Sequence, residues 1–308
     1  MRLAAALAAC LLGACAPDVP APEPAANRPT IVSLNPCSDA VLAEVARPGQ
    51  LLAISHFSHS AASASMDLAK ARRFRAVSGS AEEVLALRPD LVVADPFLAP
   101  ATRAALTRSG IAVVSLPIAR SIKESRAQVL QLARLAHNEA AGMALNRQID
   151  TALARAAPRR GSVPIEAIVW QAGGIVPGRG TLIADMLGHT GFTLASAAKG
   201  MGQGHHLSLE MLLADPPQLL FIAADTRAQE NRSLAHPVLD GLPGMKRVPF
   251  EASLLWCGGP TLERAAQRLA DARNAKPLPL AEGVWGGQVS RRQQDPPPPP
   301  PASGRREK

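Results

Sequence analysis

Short runs of continuously apolar residues alternate with longer segments of helical periodicity through most of this chain. Strands that are buried on both faces of a parallel sheet have this continuous apolar character, whereas half-exposed strands alternate apolar and polar residues. The apolar runs lie at 30–34, 51–54, 91–94, 111–115, 167–170, 218–222 and 253–256. We therefore predict an α/β fold with parallel sheets. A body of about 250 residues exceeds what one small core contains, so we expect two lobes, at 30–120 and 158–275.

A long helical segment separates the two predicted lobes. Ser121 and Glu124 form a capping box, in which the hydroxyl and the carboxylate satisfy the first free backbone N–H groups of a helix. Apolar residues continue at roughly helical spacing until Pro158. The pattern predicts one long interlobe helix over 121–157, which would hold the lobes stiffly. Because Gly142 could interrupt this helix, two shorter helices are the alternative.

Residues 1–15 have the order of a secretory signal. Arg2 is followed by an apolar run to Ala14, too short for a membrane-spanning helix of about 20 residues. The run ends in Leu-Gly-Ala-Cys15, which resembles a bacterial lipobox, whose cysteine becomes the acylated first residue of the mature protein. An ordinary signal cut after Ala16 is the alternative, but Pro17 would then follow the cut. We expect Cys15 to be lipidated and to attach the exported protein to a membrane.

Two further segments near the ends lack apolar periodicity. Residues 16–29 are rich in Pro and Ala and are predicted to form an extended tether. Residues 276–308 contain six consecutive prolines, which favour polyproline II and cannot pair in a sheet, so we predict a disordered tail. The tail holds more Lys and Arg than acids and contributes to the formal net charge of +8. The body has no basic stripe interleaved with aromatics, so the charge does not indicate nucleic-acid binding.

The body contains a partial internal repeat. Segments 80–93 and 208–221 share Ser, Glu, Leu, Ala, Pro and Leu at matched positions. Each copy places a serine at a helix N-cap, a glutamate two residues later and a proline just before a buried strand. The glutamates are Glu82 and Glu210. Any helix-then-strand unit can reuse such a cap and stop, so a purely structural role is the alternative.

Together with other segments, this repeat resembles the class III periplasmic binding proteins, which carry cobalamin and ferric siderophores. The resemblance covers residues 29–274 and is carried by the segments 31–35, 80–93, 178–188, 208–222 and 255–261. It implies two Rossmann-like lobes, a rigid interlobe helix and a ligand cleft between the lobes. We accordingly expect a monomer in the periplasm, attached by the N-terminal lipid, or soluble there if the lipobox is not used.

The resemblance also implies a ligand and a partner. We expect the ligand to be a cobalt- or iron-containing chelate of the cobalamin or ferric-siderophore kind, with no further cofactor. In this family a glutamate on each lobe docks onto arginines of the membrane subunits of an ABC permease. By position in the matching segments, these residues are Glu82 and Glu210. Neither has a basic residue four positions later to neutralise it, which suits docking; helix capping alone is the alternative.

Ligands of open α/β lobes bind beyond the carboxyl ends of the strands. Applied to the predicted strands, this rule selects polar and aromatic residues in both lobes. They are Asn35, Cys37, His56, His59 and Phe97 in the first lobe, and Trp170, Gln171, His205, Trp256 and Cys257 in the second. Only 3% of the chain is aromatic, so two tryptophans at strand ends favour a broad apolar ligand. Core packing is the alternative for each tryptophan.

The histidine pairs at 56/59 and 205/206 suggest a bare metal ion, such as zinc, as an alternative ligand. A metal site needs three or four converging ligands, and neither pair has an acid close in sequence, so we predict no metal site. The absence of tyrosine removes Tyr ligation of haem. Cys37 and Cys257 form either a disulfide that ties the lobes together or two free thiols.

The sequence lacks common catalytic motifs. It contains no G-x-S-x-G or H-E-x-x-H, and the glycines at 173–178 are not followed by the Lys-Ser/Thr of a phosphate-binding P-loop. We therefore predict a binding protein without catalytic residues. A lipid-anchored enzyme or sensor that reuses the fold is the alternative from another class.

Overall fold

The first lobe is built on a five-stranded parallel sheet in the order β3-β2-β1-β4-β5. A computed structural model describes residues 28–223, 236–242 and 244–274. The strands are β1 (Ile31–Ser33), β2 (Leu51–Ser55), β3 (Arg75–Val77), β4 (Leu91–Ala94) and β5 (Ala112–Ser115), and the helices between them are α1 (Pro36–Val45), α2 (Leu68–Ala71), α3 (Ala81–Leu87) and α4 (Pro100–Arg108). The four strands predicted here are confirmed. The sequence pattern missed β3, whose three residues include one buried valine.

A pair of helices connects the two sheets. α5 (Ile122–Leu135) begins after Ser121, whose side chain accepts from the N–H of Glu124 at 3.1 Å. The chain turns at His137, which has a φ of 49°, and α6 (Glu139–Ala156) packs back against α5. The prediction of one long helix over 121–157 is therefore wrong, and the alternative of two shorter helices is correct.

Gly142 does not cause this break. It is buried inside α6, where a Cβ would lie 2.4 Å from the Cβ of Ala133 in α5, so the glycine permits the two helices to approach closely. The first helix instead ends at Leu135 and the second begins at Glu139, and no glycine or proline lies between them to mark the end of a helix. The apolar spacing continues across the turn because both helices bury one stripe in the same core.

The second lobe is built on a four-stranded parallel sheet in the order β11-β10-β6-β8, beside a two-stranded antiparallel ribbon of β7 and β9. Its strands are β6 (Ile165–Gln171), β7 (Ile175–Val176), β8 (Phe192–Leu194), β9 (His205–His206), β10 (Leu219–Ala223) and β11 (Lys246–Pro249), and its helices are α7 (Leu182–His189), α8 (Ala195–Ala198), α9 (Leu209–Ala214) and α10 (Thr261–Arg273). The prediction of an α/β fold with two lobes and parallel sheets is confirmed.

The strand predicted at 253–256 is wrong. The last strand of the sheet is β11, an edge strand that pairs only with β10 and buries Val248. The apolar run 253–256 instead begins inside a short 3-10 turn, Ala252–Leu254. Leu254 and Leu255 are buried in the core, which explains why this run is apolar without being a strand.

The largest apolar cluster joins both lobes through the helix pair. It contains Leu42 of α1, Leu132 of α5, Ile149 of α6, Leu187 of α7 and Leu269 of α10, all nearly or fully buried. Because this core is continuous, the lobes are packed together rather than joined by a flexible hinge. Within the described part of the chain, no helix has the length and apolar character needed to cross a membrane.

Candidate functional site

The carboxyl ends of β1 and β4 are tied together by polar side chains. Asn35 caps α1, with its Oδ1 accepting from the N–H of Cys37 at 2.8 Å. Its Nδ2 donates to Oδ2 of Asp95 at 3.1 Å, and Oδ1 of Asp95 accepts from the N–H of Phe97 at 2.7 Å. Phe97 is 78% exposed. The edge of the first sheet therefore holds an ordered loop that presents an aromatic ring to solvent.

A 3-10 turn, His56–His59, follows β2 at the same edge of the sheet. The rings of His56 and Phe57 lie 4.1 Å apart at their centroids, and Phe57 is 52% exposed. Nδ1 of His56 lies 3.3 Å from the carbonyl of Val77, and Nε2 of His59 lies 3.1 Å from the carbonyl of Ala71. A carbonyl only accepts, so these nitrogens donate and the other nitrogen of each neutral ring keeps a lone pair.

The turn rests on Asp39, a buried carboxyl that the sequence analysis did not identify. Oδ2 of Asp39 accepts from the Ser58 hydroxyl at 2.7 Å and from the N–H of Ser55 at 3.0 Å. Oδ1 is buried and has no hydrogen-bond partner. Burial raises the pKa of Asp39 to about 8, against hydrogen bonds from Ser33, Ser58 and Ser55 that lower it. The cluster of serines around an acid in a mostly apolar segment was the signal available in the sequence.

A disulfide between Cys37 and Cys257 joins the two lobes, with Cα atoms 4.9 Å apart. The sequence left this bond and two free thiols as equal alternatives. Because Cys37 lies just beyond β1, the bond brings the neighbouring Trp256, which is 49% exposed, close to the edge of the first sheet.

The segment after the disulfide packs tightly against the first lobe and the helix pair. The N–H of Gly259 donates to the Ser125 hydroxyl at 2.7 Å. A Cβ on Gly258 would overlap the Ser125 side chain, and Gly259 has a φ of +63° and would place a Cβ 2.5 Å from Val41. Both glycines are therefore required by close approach, which the sequence could show only as a Gly-Gly pair.

The predicted residues of β6 do not present their side chains to the cleft. Trp170 has no exposed surface and packs with Ile168, Leu212 and Leu220 in a separate apolar cluster of the second lobe. Gln171 is 7% exposed. Trp170 therefore packs in the core, the alternative given for it, rather than lining the cleft, because β6 is a central strand with an apolar cluster on each of its faces.

His205 is exposed, and its Nδ1 accepts from the N–H of Gly202 at 2.8 Å. It lies in the ribbon of β7 and β9, beside His206. Across 28–223, 236–242 and 244–274, no group of three or more His, Cys, Asp or Glu residues is placed to hold a metal ion. The structure therefore offers no support within these ranges for the alternative of a bare metal ion.

The two glutamates proposed for docking are both exposed. In α3, Ser80 is the N-cap, and the carboxylate of Glu83 accepts from the N–H and the hydroxyl of Ser78, each at 2.6 Å. Glu82 has no hydrogen bond or ion pair to any described residue. In α9, Glu210 lines a cavity of about 340 Å³. Its own backbone N–H, then the Ser208 hydroxyl and His206, lower the pKa of Glu210, so its carboxylate is readily ionised.

A family model described as periplasmic binding protein matches residues 31–247. Comparison with curated proteins finds no significant match. Among similar solved structures, the periplasmic heme-binding protein RhuT from Roseiflexus sp. RS-1 is 21% identical, with a TM-score of 0.63 over 80% of this chain and 97% of that chain.

Two structures from Vibrio cholerae are also similar. The periplasmic heme-binding protein HutB is 18% identical, with a TM-score of 0.65 over 79% of this chain and 98% of that chain. The periplasmic vitamin B12 binding protein BtuF is 17% identical, with a TM-score of 0.61 over 80% of this chain and 97% of that chain. At these identities the likeness shows a shared fold alone.

Proposed function

The chain belongs to the periplasmic binding protein family, and from that premise we propose that it captures a metal chelate between its lobes and delivers it to an ABC importer. The family resemblance predicted from the sequence is confirmed. Members of this family are binding proteins of the periplasm, not enzymes. The identity of the ligand and its delivery are the parts that we propose.

One observation carries the ligand proposal: exposed aromatic rings stand at the carboxyl edge of the first sheet and beside the disulfide that joins the lobes. Phe57 and Phe97 stand at the carboxyl edge of the first sheet, and Trp256 stands beside the disulfide that meets this edge. Broad apolar surface with a few polar groups suits a large, partly apolar chelate. Small polar solutes would leave these rings exposed to water.

His56 supports a chelate whose metal has an open coordination position. With the proton on Nδ1, its Nε2 is free to ligate iron or cobalt. A corrinoid or a haem offers an axial position, whereas a siderophore that saturates its iron with oxygen donors does not. The similar structures named for heme and vitamin B12 make both tetrapyrroles suitable test ligands. The chain has no tyrosine, so tyrosine ligation of haem is not part of the proposal.

Delivery is assigned to Glu82 and Glu210. Each lies on a different lobe, is exposed, and occupies the matched position of the repeated segments. Two separated carboxylates provide both attraction and register for a membrane subunit that presents two arginines.

Anchoring is assigned to Cys15, which lies outside the described residues, as do residues 16–27 of the predicted tether and the predicted tail. Cys15→Ser should release the mature protein from the membrane fraction or leave it unprocessed. Mass spectrometry of the wild-type N-terminus checks this assignment, because an unmodified terminus after Ala16 would contradict it.

Ligand capture is tested by titrating the protein with cyanocobalamin, hemin, a ferric hydroxamate, a ferric catecholate and zinc. We expect one of the chelates to quench tryptophan fluorescence and zinc to have no effect. Loss of a stacked aromatic contact costs about 0.5–1.5 kcal/mol beyond area burial, so Trp256→Ala should weaken binding severalfold. Met143→Ala, which removes a 51% exposed apolar side chain from α6, serves as the matched control and should retain affinity. Saturable binding of zinc alone would contradict the proposal.

A further inference from the structure

The two docking glutamates have different surroundings. Glu82 projects from α3 without any hydrogen bond or ion pair to another described residue. Glu210 lies in the cavity of the second lobe, whose other walls include His206 of β9, Ser208 and His236. The chain therefore presents one bare carboxylate and one carboxylate flanked by two histidines.

Trp170 forms the floor of this cavity. It lines the cavity but has no solvent-exposed surface, so it lies beneath the histidines rather than beside the opening. Among the described residues, its buried indole Nε1 has no hydrogen-bond partner. Because the indole is fully buried, the group that a cationic side chain would meet in the cavity is the Glu210 carboxylate. A planar guanidinium pairs with a carboxylate through two N–H donors, whereas an ammonium acts as a point charge, so the cavity fits an arginine better than a lysine.

Among the described residues, the titratable groups that line the cavity with Glu210 are the two histidines. His206 is exposed on β9, and His236 is exposed with its Nδ1 accepting from the N–H of Val238 at 3.2 Å. The ion pair between Lys199 and Asp215, at 2.6 Å, lies beyond the C-terminal end of α9, where Asp215 is the C-cap. Among the described residues, the charged and titratable groups that line this cavity are therefore Glu210 and these two histidines.

We propose that this cavity receives an arginine of the permease and that His206 and His236 make the contact sensitive to protons, while the contact at Glu82 is not. The inference rests on the delivery step proposed above. Histidine changes its charge between about pH 5 and pH 8, a range that no other unperturbed side chain covers. With neutral histidines the cavity carries the single negative charge of Glu210 and attracts a guanidinium. With protonated histidines the cavity becomes positive, and His206 competes for the same carboxylate.

The test uses proteoliposomes that contain the ABC permease whose uptake of the bound chelate depends on this protein. The measurement is the protein concentration that gives half-maximal uptake at pH 7.5 and at pH 5.5. Exposed charge pairs are individually weak, so we expect the wild type to require roughly three- to tenfold more protein at pH 5.5. The double variant His206→Gln/His236→Gln should show a much smaller difference.

His189→Gln is the matched control, because His189 lies on α7 with its Nε2 bonded to the carbonyl of Leu153, away from the cavity. It should retain the pH dependence of the wild type, and any pH response of the permease itself is common to all variants. A double variant that keeps the wild-type pH dependence would overturn the inference. If reversing the charge of Glu82 and Glu210 leaves uptake unchanged, the delivery proposal itself fails; if reversal abolishes uptake but the histidines have no effect, only this inference fails.

Discussion

At the scale of single residues, Asp39 links the stability of the protein to pH. Its carboxyl accepts a hydrogen bond from Ser58 in the turn His56–His59, and burial raises its pKa from 3.8 to about 8. Between these values the folded protein holds a proton that the unfolded chain has lost. The stabilisation from this group is therefore fully present below pH 3.8 and is lost as the pH rises through 8.

Asp39→Asn should flatten this pH dependence. The amide can accept the hydrogen bonds from Ser55 and Ser58 and does not titrate. We expect the wild-type free energy of unfolding to fall by up to about 4 kcal/mol between pH 5 and pH 8, and the variant to fall by less. Urea denaturation at both pH values measures the difference. Asp271→Asn, a change at a half-buried position on α10, should behave like the wild type; equal slopes in all three proteins would contradict the role of Asp39.

At the scale of elements, continuous runs of apolar residues predicted the positions of the buried strands. They did not predict where a helix ends when its end is determined by packing against residues distant in sequence. β1, β4 and β10 lie within a residue or two of the runs that predicted them. The break between α5 and α6 was hidden because both helices face one core, so the apolar spacing passes through the turn unchanged. The turn depends on His137 in a left-handed conformation, a choice stabilised by the packing of two helices rather than by a local sequence signal.

Gly142→Ala should destabilise the protein although alanine favours helices. The new methyl group would overlap Ala133 across the contact between α5 and α6, and overpacking of this kind costs about 1–3 kcal/mol. Gly188→Ala provides the control, because a Cβ there meets no atom within 4 Å and alanine gains up to about 1 kcal/mol in a helix. Thermal unfolding should show opposite shifts for the two variants. A stabilised Gly142→Ala protein would show that the helices can move apart without cost.

At the scale of the whole molecule, the disulfide closes a loop that spans both lobes, since Cys37 and Cys257 are 220 residues apart. Replacing both cysteines by serine should lower the free energy of unfolding by about 2–5 kcal/mol. Chelate affinity should remain, because the Gly259 N–H still donates to Ser125 and the Thr261 hydroxyl still donates to the carbonyl of Ser65. Denaturant unfolding and ligand titration of the double variant check both statements. A folded variant that has lost affinity would show that the bond shapes the cleft directly.

The sequence predicted the residues at the carboxyl edge of the first lobe's sheet better than those at the corresponding edge of the second. Asn35, His56, His59 and Phe97 all follow strands that formed where apolar runs predicted them. Trp170 was misplaced because a strand-end rule cannot distinguish an inward-facing residue from an outward-facing one in a strand covered on both faces. Pairing of distant cysteines depends on tertiary packing, which no local pattern reveals.

Delivery depends on the whole molecule, and reversing the charges of Glu82 and Glu210 tests it most directly. Single exposed ion pairs contribute only about 0.2–1 kcal/mol, so Glu82→Ala or Glu210→Ala alone should have mild effects on uptake. The double variant Glu82→Arg/Glu210→Arg replaces attraction by repulsion at both lobes and should abolish uptake in proteoliposomes. Ligand affinity and thermal stability should survive, because both side chains are exposed and Ser80 is the N-cap of α3. Undiminished uptake would leave both glutamates as ordinary surface acids, whereas lost chelate binding would place them in the cleft or in the support of the fold.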